Sequence, residues 1–138
     1  MNKYRNKKVI VDGIKFDSIA ESRRYKELKL LERQGIIKDL KLQPIFVLQP
    51  SFKKNNKTIR AITYKADFSY LENEKASDKI IVEDVKGYAT KEFKLKEKMF
   101  EYNYPELKLV CVTYVKKYGG WISLEELTKL RKENRRSK

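Results

Sequence analysis

The run Ile80-Ile81-Val82-Glu83-Asp84-Val85-Lys86 constrains the fold more than any other segment of this 138-residue chain. Three consecutive aliphatic residues suit a strand covered on both sides, so the run predicts a central strand rather than an edge. The strand then ends on charge. Side chains alternate, which puts Asp84 and Lys86 on one face and Glu83 and Val85 on the other. A carboxylate and an ammonium two residues apart at a strand end can hold a cation and orient water beside a phosphate. They can equally form a solvated ion pair.

Upstream, residues 58–71 read as one strand, with Tyr64, Ala66, Phe68 and Tyr70 on one face and Thr63, Lys65, Asp67 and Ser69 on the other. The charged connection 72–78 suits an antiparallel hairpin centred near Lys75. That register sets Asp67 opposite Glu83 or Asp84. Two carboxylates so placed repel each other unless a cation lies between them, and Mg²⁺, which takes one or two carboxylates and keeps several waters, fits. The alternative is a plain ion pair between Asp67 and a base such as Lys65.

The rest of the chain frames these strands. Residues 9–16 predict a hairpin around Asp12-Gly13. A helix is expected over 18–34, stopped by Gly35, followed by an extended stretch 36–49 containing Gln43-Pro44 and a polar loop 52–57. Thr90 caps a second helix running to about Tyr102. Residues 107–115 form an apolar strand, and Gly119-Gly120 a turn. Ser123 and Glu126 match a capping box at the start of a last helix, whose basic tail 131–138 is expected to fray. The expectation is one domain over 1–138: an N-terminal hairpin (1–17), a core (18–115) and a C-terminal helix with its tail (121–138). Its class is α/β with a mixed central sheet.

Glu21 falls in the apolar arc of the first helix with Ala20, Tyr25, Leu28 and Leu31. It reads either as the N3 partner of a Ser18 capping box or as a carboxylate facing a site. In the helix after Thr90, Lys94 and Lys98 share a polar face suited to phosphate oxygens, while Lys96 projects among apolar residues and must snorkel or point into a polar site. Lys and Arg number 33 against 19 Asp and Glu, a net charge of +14. That surplus favours a polyanionic partner, nucleic acid before an anionic membrane surface. No segment is long and apolar enough to span a bilayer, and no secretory signal is visible. Cys111 is the sole cysteine and reads as a small core residue in a reduced, cytoplasmic setting. The chain has no histidine, which removes His-metal nucleases, Ser-His and Cys-His nucleophiles and His-ligated zinc. Phosphate-binding loops of the GxxxxGK[ST] and GxGxxG types are absent too. Hydrolysis here must rest on carboxylates, lysines and a hard metal ion. The aromatic residues fall mostly at core positions.

Asp67 followed by Asp84-Val85-Lys86 on a neighbouring strand resembles the D…(D/E)-x-K signature of the PD-(D/E)XK nuclease superfamily, and Glu21 matches the extra acidic residue that many members carry on the preceding helix. The order helix, three strands, helix, strand is similar to that superfamily's restriction-endonuclease-like αβββαβ core. The runs Lys3-Tyr4-Arg5-Asn6-Lys7-Lys8, Asp12-Gly13-Ile14-Lys15-Phe16-Asp17-Ser18, Glu21-Ser22-Arg23-Arg24-Tyr25, Leu42-Gln43-Pro44, Ala66-Asp67-Phe68 and Glu83-Asp84-Val85-Lys86-Gly87 look like a family of small phage and prophage proteins. That family is catalogued as a domain of unknown function and regarded as endonuclease-like. One departure is Ala66 where the signature has proline.

The resemblance implies an Mg²⁺-dependent DNA endonuclease, with Mn²⁺ able to substitute, in the cytoplasm of a host cell. Asp67 and Asp84 would bind the metal, with the Val85 carbonyl and, through water, Glu21. Lys86 would position the attacking water. Arg23, Arg24, Gln43, Lys94, Lys96 and Lys98 would contact DNA, branched or double-stranded. Holliday junction resolution would require a homodimer. Two other readings stay open: a DNA-binding or partner-inhibiting phage protein without turnover, and an RNA-directed protein.

Overall fold

The computed structural model describes residues 8–73 and 79–136. The basic run before Lys8, residues 74–78 of the 72–78 connection with Lys75 among them, and the last two tail residues lie outside the described residues. Asp12 and Gly13, at φ 53° and 75°, turn the chain between β1 (Val9–Val11) and β2 (Ile14–Phe16). Ser18 caps α1 (Ile19–Arg33), its Oγ accepting from the Glu21 amide at 3.1 Å, and Gly35 at φ 78° follows the helix. Ser22, Tyr25 and Leu28 are the buried residues of α1, whereas Ala20 is exposed.

The expected extended stretch is two strands belonging to different sheets, β3 (Ile37–Leu42) and β4 (Ile45–Gln49). Gln43 adopts φ 51° and Pro44 supplies no amide donor, so the ladder cannot run through that corner. The expected loop 52–57 is a hairpin. Its strands β5 (Phe52–Lys54) and β6 (Lys57–Ile59) are joined by Asn55 and Asn56, at φ 53° and 63°. Two consecutive positive φ values make the primed turn that matches strand twist, and asparagine tolerates them.

The expected strand 58–71 is likewise divided: β6, then β7 (Ile62–Lys65), then β8 (Phe68–Glu72), with a bend at Asp67. That bend reverses the alternation. Tyr64 and Ala66 enter one core cluster while Phe68 and Tyr70 enter the other, so the four do not share a face.

Next come β9 (Ile80–Val85), α2 (Lys91–Asn103, capped by Thr90) and β10 (Lys108–Val115). A 3-10 turn (Lys116–Tyr118) and Gly119 at φ 88° then lead into β11 (Gly120–Ser123), a strand where the sequence predicts only a turn. α3 (Leu124–Arg136) has its Glu126 amide bonded to Ser123 Oγ at 3.1 Å. It stays helical through Arg136, where fraying was expected.

The central sheet has the order β11-β10-β9-β8-β3, with β9 in the middle. β9 runs parallel to β10 and antiparallel to β8, and the remaining pairs are antiparallel, so the sheet is mixed. Along the chain its members and helices fall in the order α1, β3, β8, β9, α2, β10, β11, α3. One face carries α1 and the N-terminal hairpin around Phe16, Tyr25, Leu28 and Phe68. The other carries α2 and the root of the β4–β7 ribbon around Leu48, Tyr64, Phe93 and Phe100. Among the described residues no helix is long and apolar enough to cross a membrane.

Candidate active site

β9 delivers two buried carboxylates to opposite sides of the sheet. Glu83 is 1% exposed and Asp84 4%. A buried carboxylate needs partners, and each finds different ones. Glu83 takes Arg24, with Nε 2.5 Å from Oε1 and Nη2 2.9 Å from Oε2, and also the Tyr70 hydroxyl at 2.6 Å. Arg24 in turn lies over Trp121, 5.3 Å from its ring. Arg24, expected to hold a nucleic-acid backbone, is therefore spent on a bidentate ion pair inside the protein.

Asp84 faces the other side. The buried Tyr64 hydroxyl donates to its Oδ2, and Lys86 Nζ stands 3.5 Å from the same oxygen. Lys86 also lies 4.8 Å from the ring centre of Phe93. Asp67 is held by three neighbours. Its amide donates to the Glu83 carbonyl at 3.2 Å, and its carbonyl accepts from the Gln43 amide at 2.9 Å. Its Oδ2 accepts from the Val85 amide at 2.8 Å. Phe68 pairs with Glu83, so Asp67 comes opposite Asp84, and the two carboxyls lie within hydrogen-bond reach. Burial, and then the adjoining Asp84, pushes Asp67 up to about 9. Tyr64 is raised as well, by burial and by the Asp84 charge.

Glu21 is raised by burial first, then by Asp17, with a smaller contribution from Asp84. It contributes field to the carboxyl pair rather than joining it, and its amide makes the Ser18 cap. Asp67, Asp84 and Lys86 therefore converge, and Glu21 stands off. Among the described residues no three His, Cys, Asp or Glu side chains gather closely enough to share a metal ion. The donor set that does form is two carboxylates that cannot both ionise comfortably without a cation. Hard oxygen donors in that number fit Mg²⁺, which fills its other positions with water or phosphate. The Val85 group seen touching Asp67 is the amide rather than the carbonyl.

Asp84 and Lys86 open onto a cleft of about 380 Å³ between β7 and the start of α2. Lys65 and Lys96 line it too, Lys96 lying 3.7 Å from Glu92. Lys96 thus reaches a polar site, the resolution of its odd placement on the helix. Lys94 and Lys98 do not. They line a separate groove of about 870 Å³ between α2, β10 and α3, which contains neither Asp67 nor Asp84. The period of the helix explains the split: residues 94 and 98 share one face, and 92 and 96 another. Arg23 and Gln43 are exposed, and Gln43 adjoins the site through its backbone. Burial pushes the Cys111 thiol up to about 12, in keeping with a core residue.

Tyr64 and Lys65 join the site without having been expected there. No local signal pointed to Tyr64: on an unbroken strand Tyr64 and Asp67 face opposite ways, and only the bend at Asp67 brings both to Asp84.

No curated protein and no solved structure matches the chain. A family model described as "Protein of unknown function (DUF1064)" matches residues 1–120, and the chain belongs to that family.

Proposed function

We propose that the chain is a divalent-cation-dependent DNA endonuclease of the PD-(D/E)XK type, with Asp67, Asp84 and Lys86 as its reacting-centre residues. The observation that carries the reading is the convergence of the buried Asp84 carboxyl and the half-buried Asp67 carboxyl with the Lys86 amine, Asp84 and Lys86 lining a cleft that also holds Lys65 and Lys96. The order α1, β3, β8, β9, α2, β10 supports it, as does the spacing Asp84-Val85-Lys86 on the central strand.

Asp67 and Asp84 would hold Mg²⁺ or Mn²⁺. A cation there supplies Lewis-acid polarisation of the scissile phosphate. The chain's own residues do the rest. Tyr64 and the Val85 amide fix the two carboxyls so that neither must reorganise when phosphate arrives. Lys86, anchored by Asp84 and the Phe93 ring, presents an ammonium group to the attacking water and to charge growing on the phosphate. Lys65 and Lys96 draw the polyanion into the cleft. Glu21 adds negative potential behind the pair. No base-reading motif is evident in the sequence, which favours structure-selective cleavage of branched DNA by a homodimer in the cytoplasm of the host cell.

The test is incubation with a four-way junction and with linear duplex, with and without Mg²⁺. The expected result is metal-dependent cleavage that disappears in Asp84→Asn. No cleavage of either substrate, or cleavage that survives the substitution, overturns the reading. A second reading, a binding protein on the same fold without turnover, is favoured by one observation: no third acidic side chain closes on the pair among the described residues. Calorimetry separates the two, because a scaffold without turnover shows no Mg²⁺ or Mn²⁺ binding that depends on Asp67.

A further inference from the structure

We propose that the ribbon 45–65 binds nucleic acid, its exposed end entering the major groove of B-form duplex DNA beside the cleft. The two ladders of this segment are one hairpin. The register shifts by one residue between Val47 and Gln49, and from Gln49↔Ile62 it is the same as at Phe52↔Ile59 across a gap at Pro50-Ser51. Its root is fixed: Leu48 and Tyr64 are buried, Asn103 Nδ2 donates to the Leu48 carbonyl at 2.9 Å, and the Tyr104 hydroxyl to the Val47 carbonyl at 2.8 Å. The same root supplies Tyr64 and Lys65 to the cleft. Residues 50–63, by contrast, are exposed throughout.

Charge identifies the partner. Between Asp39 and Asp67 there is no acidic residue, while Lys41, Lys53, Lys54, Lys57, Arg60 and Lys65 are basic. Lys54 and Lys57 are directly opposed at the tip. Like charges so placed weaken a hairpin, and an anion between them removes the cost. Lysines on an open ribbon also discourage edge-to-edge pairing. That role does not account for Phe52 and Ile59, a cross-strand pair that is 44% and 41% exposed on the same face as Lys54 and Lys57. An apolar pair bordered by ammonium groups suits a groove wall, where thymine methyls meet the pair and phosphates meet the rim. The B-form major groove, about 12 Å wide, admits a two-stranded ribbon, whereas the deep, narrow A-form groove does not. The assignment takes the polyanion in the cleft to be DNA but needs no cleavage.

The experiment uses the full chain in EDTA, titrated into a fluorescent DNA duplex at several salt concentrations. One variant carries Lys53→Gln, Lys54→Gln, Lys57→Gln and Arg60→Gln. A charge-matched control carries Lys26→Gln, Lys38→Gln, Lys116→Gln and Lys132→Gln, all exposed positions elsewhere. The ribbon variant should bind about tenfold or more weakly near ~0.1 M salt. Its log–log salt slope should be shallower by about 2–4, at roughly 0.9 for each phosphate no longer neutralised. The control should change far less. Equal effects from both variants, or none from either, overturn the proposal. Independently, amine labelling of the native protein should show Lys53, Lys54 and Lys57 protected by duplex DNA, and unprotected lysines there overturn it as well. An equal ribbon-dependent loss on duplex RNA, or stronger ribbon-dependent binding to anionic vesicles, overturns the assignment to a B-form groove. With no divalent cation present, failure here leaves the nuclease reading standing, and a protein that binds through the ribbon without cleaving leaves this one standing.

Discussion

Glu83 and Asp84 are adjacent on the central strand, equally hidden from water, and chemically opposite in situation. Glu83 has a bidentate arginine and a tyrosine hydroxyl, so its charge is fully matched. Asp84 has a second acid beside it and an amine at 3.5 Å. One side of the sheet is electrostatically finished and the other is left short of positive charge. What separates the two carboxylates is the company each keeps, since depth and secondary structure are the same for both.

The sharpest break in that comparison is Asp84→Asn. Initial cleavage rates in Mg²⁺ should fall about 10³-fold, while the metal-free protein should melt no lower, because a like-charge conflict is relieved. Next comes Glu83→Gln, which leaves Arg24 charged, buried and unmatched. Urea denaturation should show a loss of about 3 kcal/mol, and exchanging the cluster for Arg24→Met, Glu83→Leu and Tyr70→Phe should restore most of it. If Glu83→Gln instead abolishes cleavage at unchanged stability, the division of labour between the two sides is wrong.

The pH dependence follows from Asp67, whose carboxyl moves from 3.8 to about 9 on folding. Through that window the folded chain keeps a proton that the unfolded chain has released. Its contribution to stability therefore declines as pH rises from near 4 to near 9. Thermal melts in EDTA should show the decline, and Mg²⁺ should flatten it by taking the proton's place. The smallest effect is Tyr64→Phe, which removes the hydroxyl holding Asp84. Cleavage should drop about tenfold, with stability within ~1 kcal/mol of the native protein.

The central strand was readable because burial on both faces leaves an unbroken aliphatic run, and because the period of two separates Asp84 from Glu83 without reference to any neighbour. The pairing of Asp67 with Asp84 was readable to within one residue from hairpin symmetry. The bend at Asp67 was not, since Tyr64, Ala66, Phe68 and Tyr70 alternate as an unbroken strand would. What interrupts them is the Gln43-Pro44 corner, more than 20 residues earlier, which diverts the partner strand into another sheet. The ion pair of Arg24 is hidden for a similar reason: its acceptor lies 59 residues away on β9. The Asn55-Asn56 turn is local and legible, but its flanking strands, three residues each, are too short to show an alternation. β11, only four residues long and opening on the second glycine of Gly119-Gly120, carried too little pattern to stand out.

The corners at Gln43 and Asp67 clasp each other: Gln43 donates to the Asp67 carbonyl, and Ala66 to that of Pro44. Both strands leave the central sheet at this clasp. The crossing that sends the hairpin out of the central sheet is thus the same one that seats the Asp67 backbone across from Asp84.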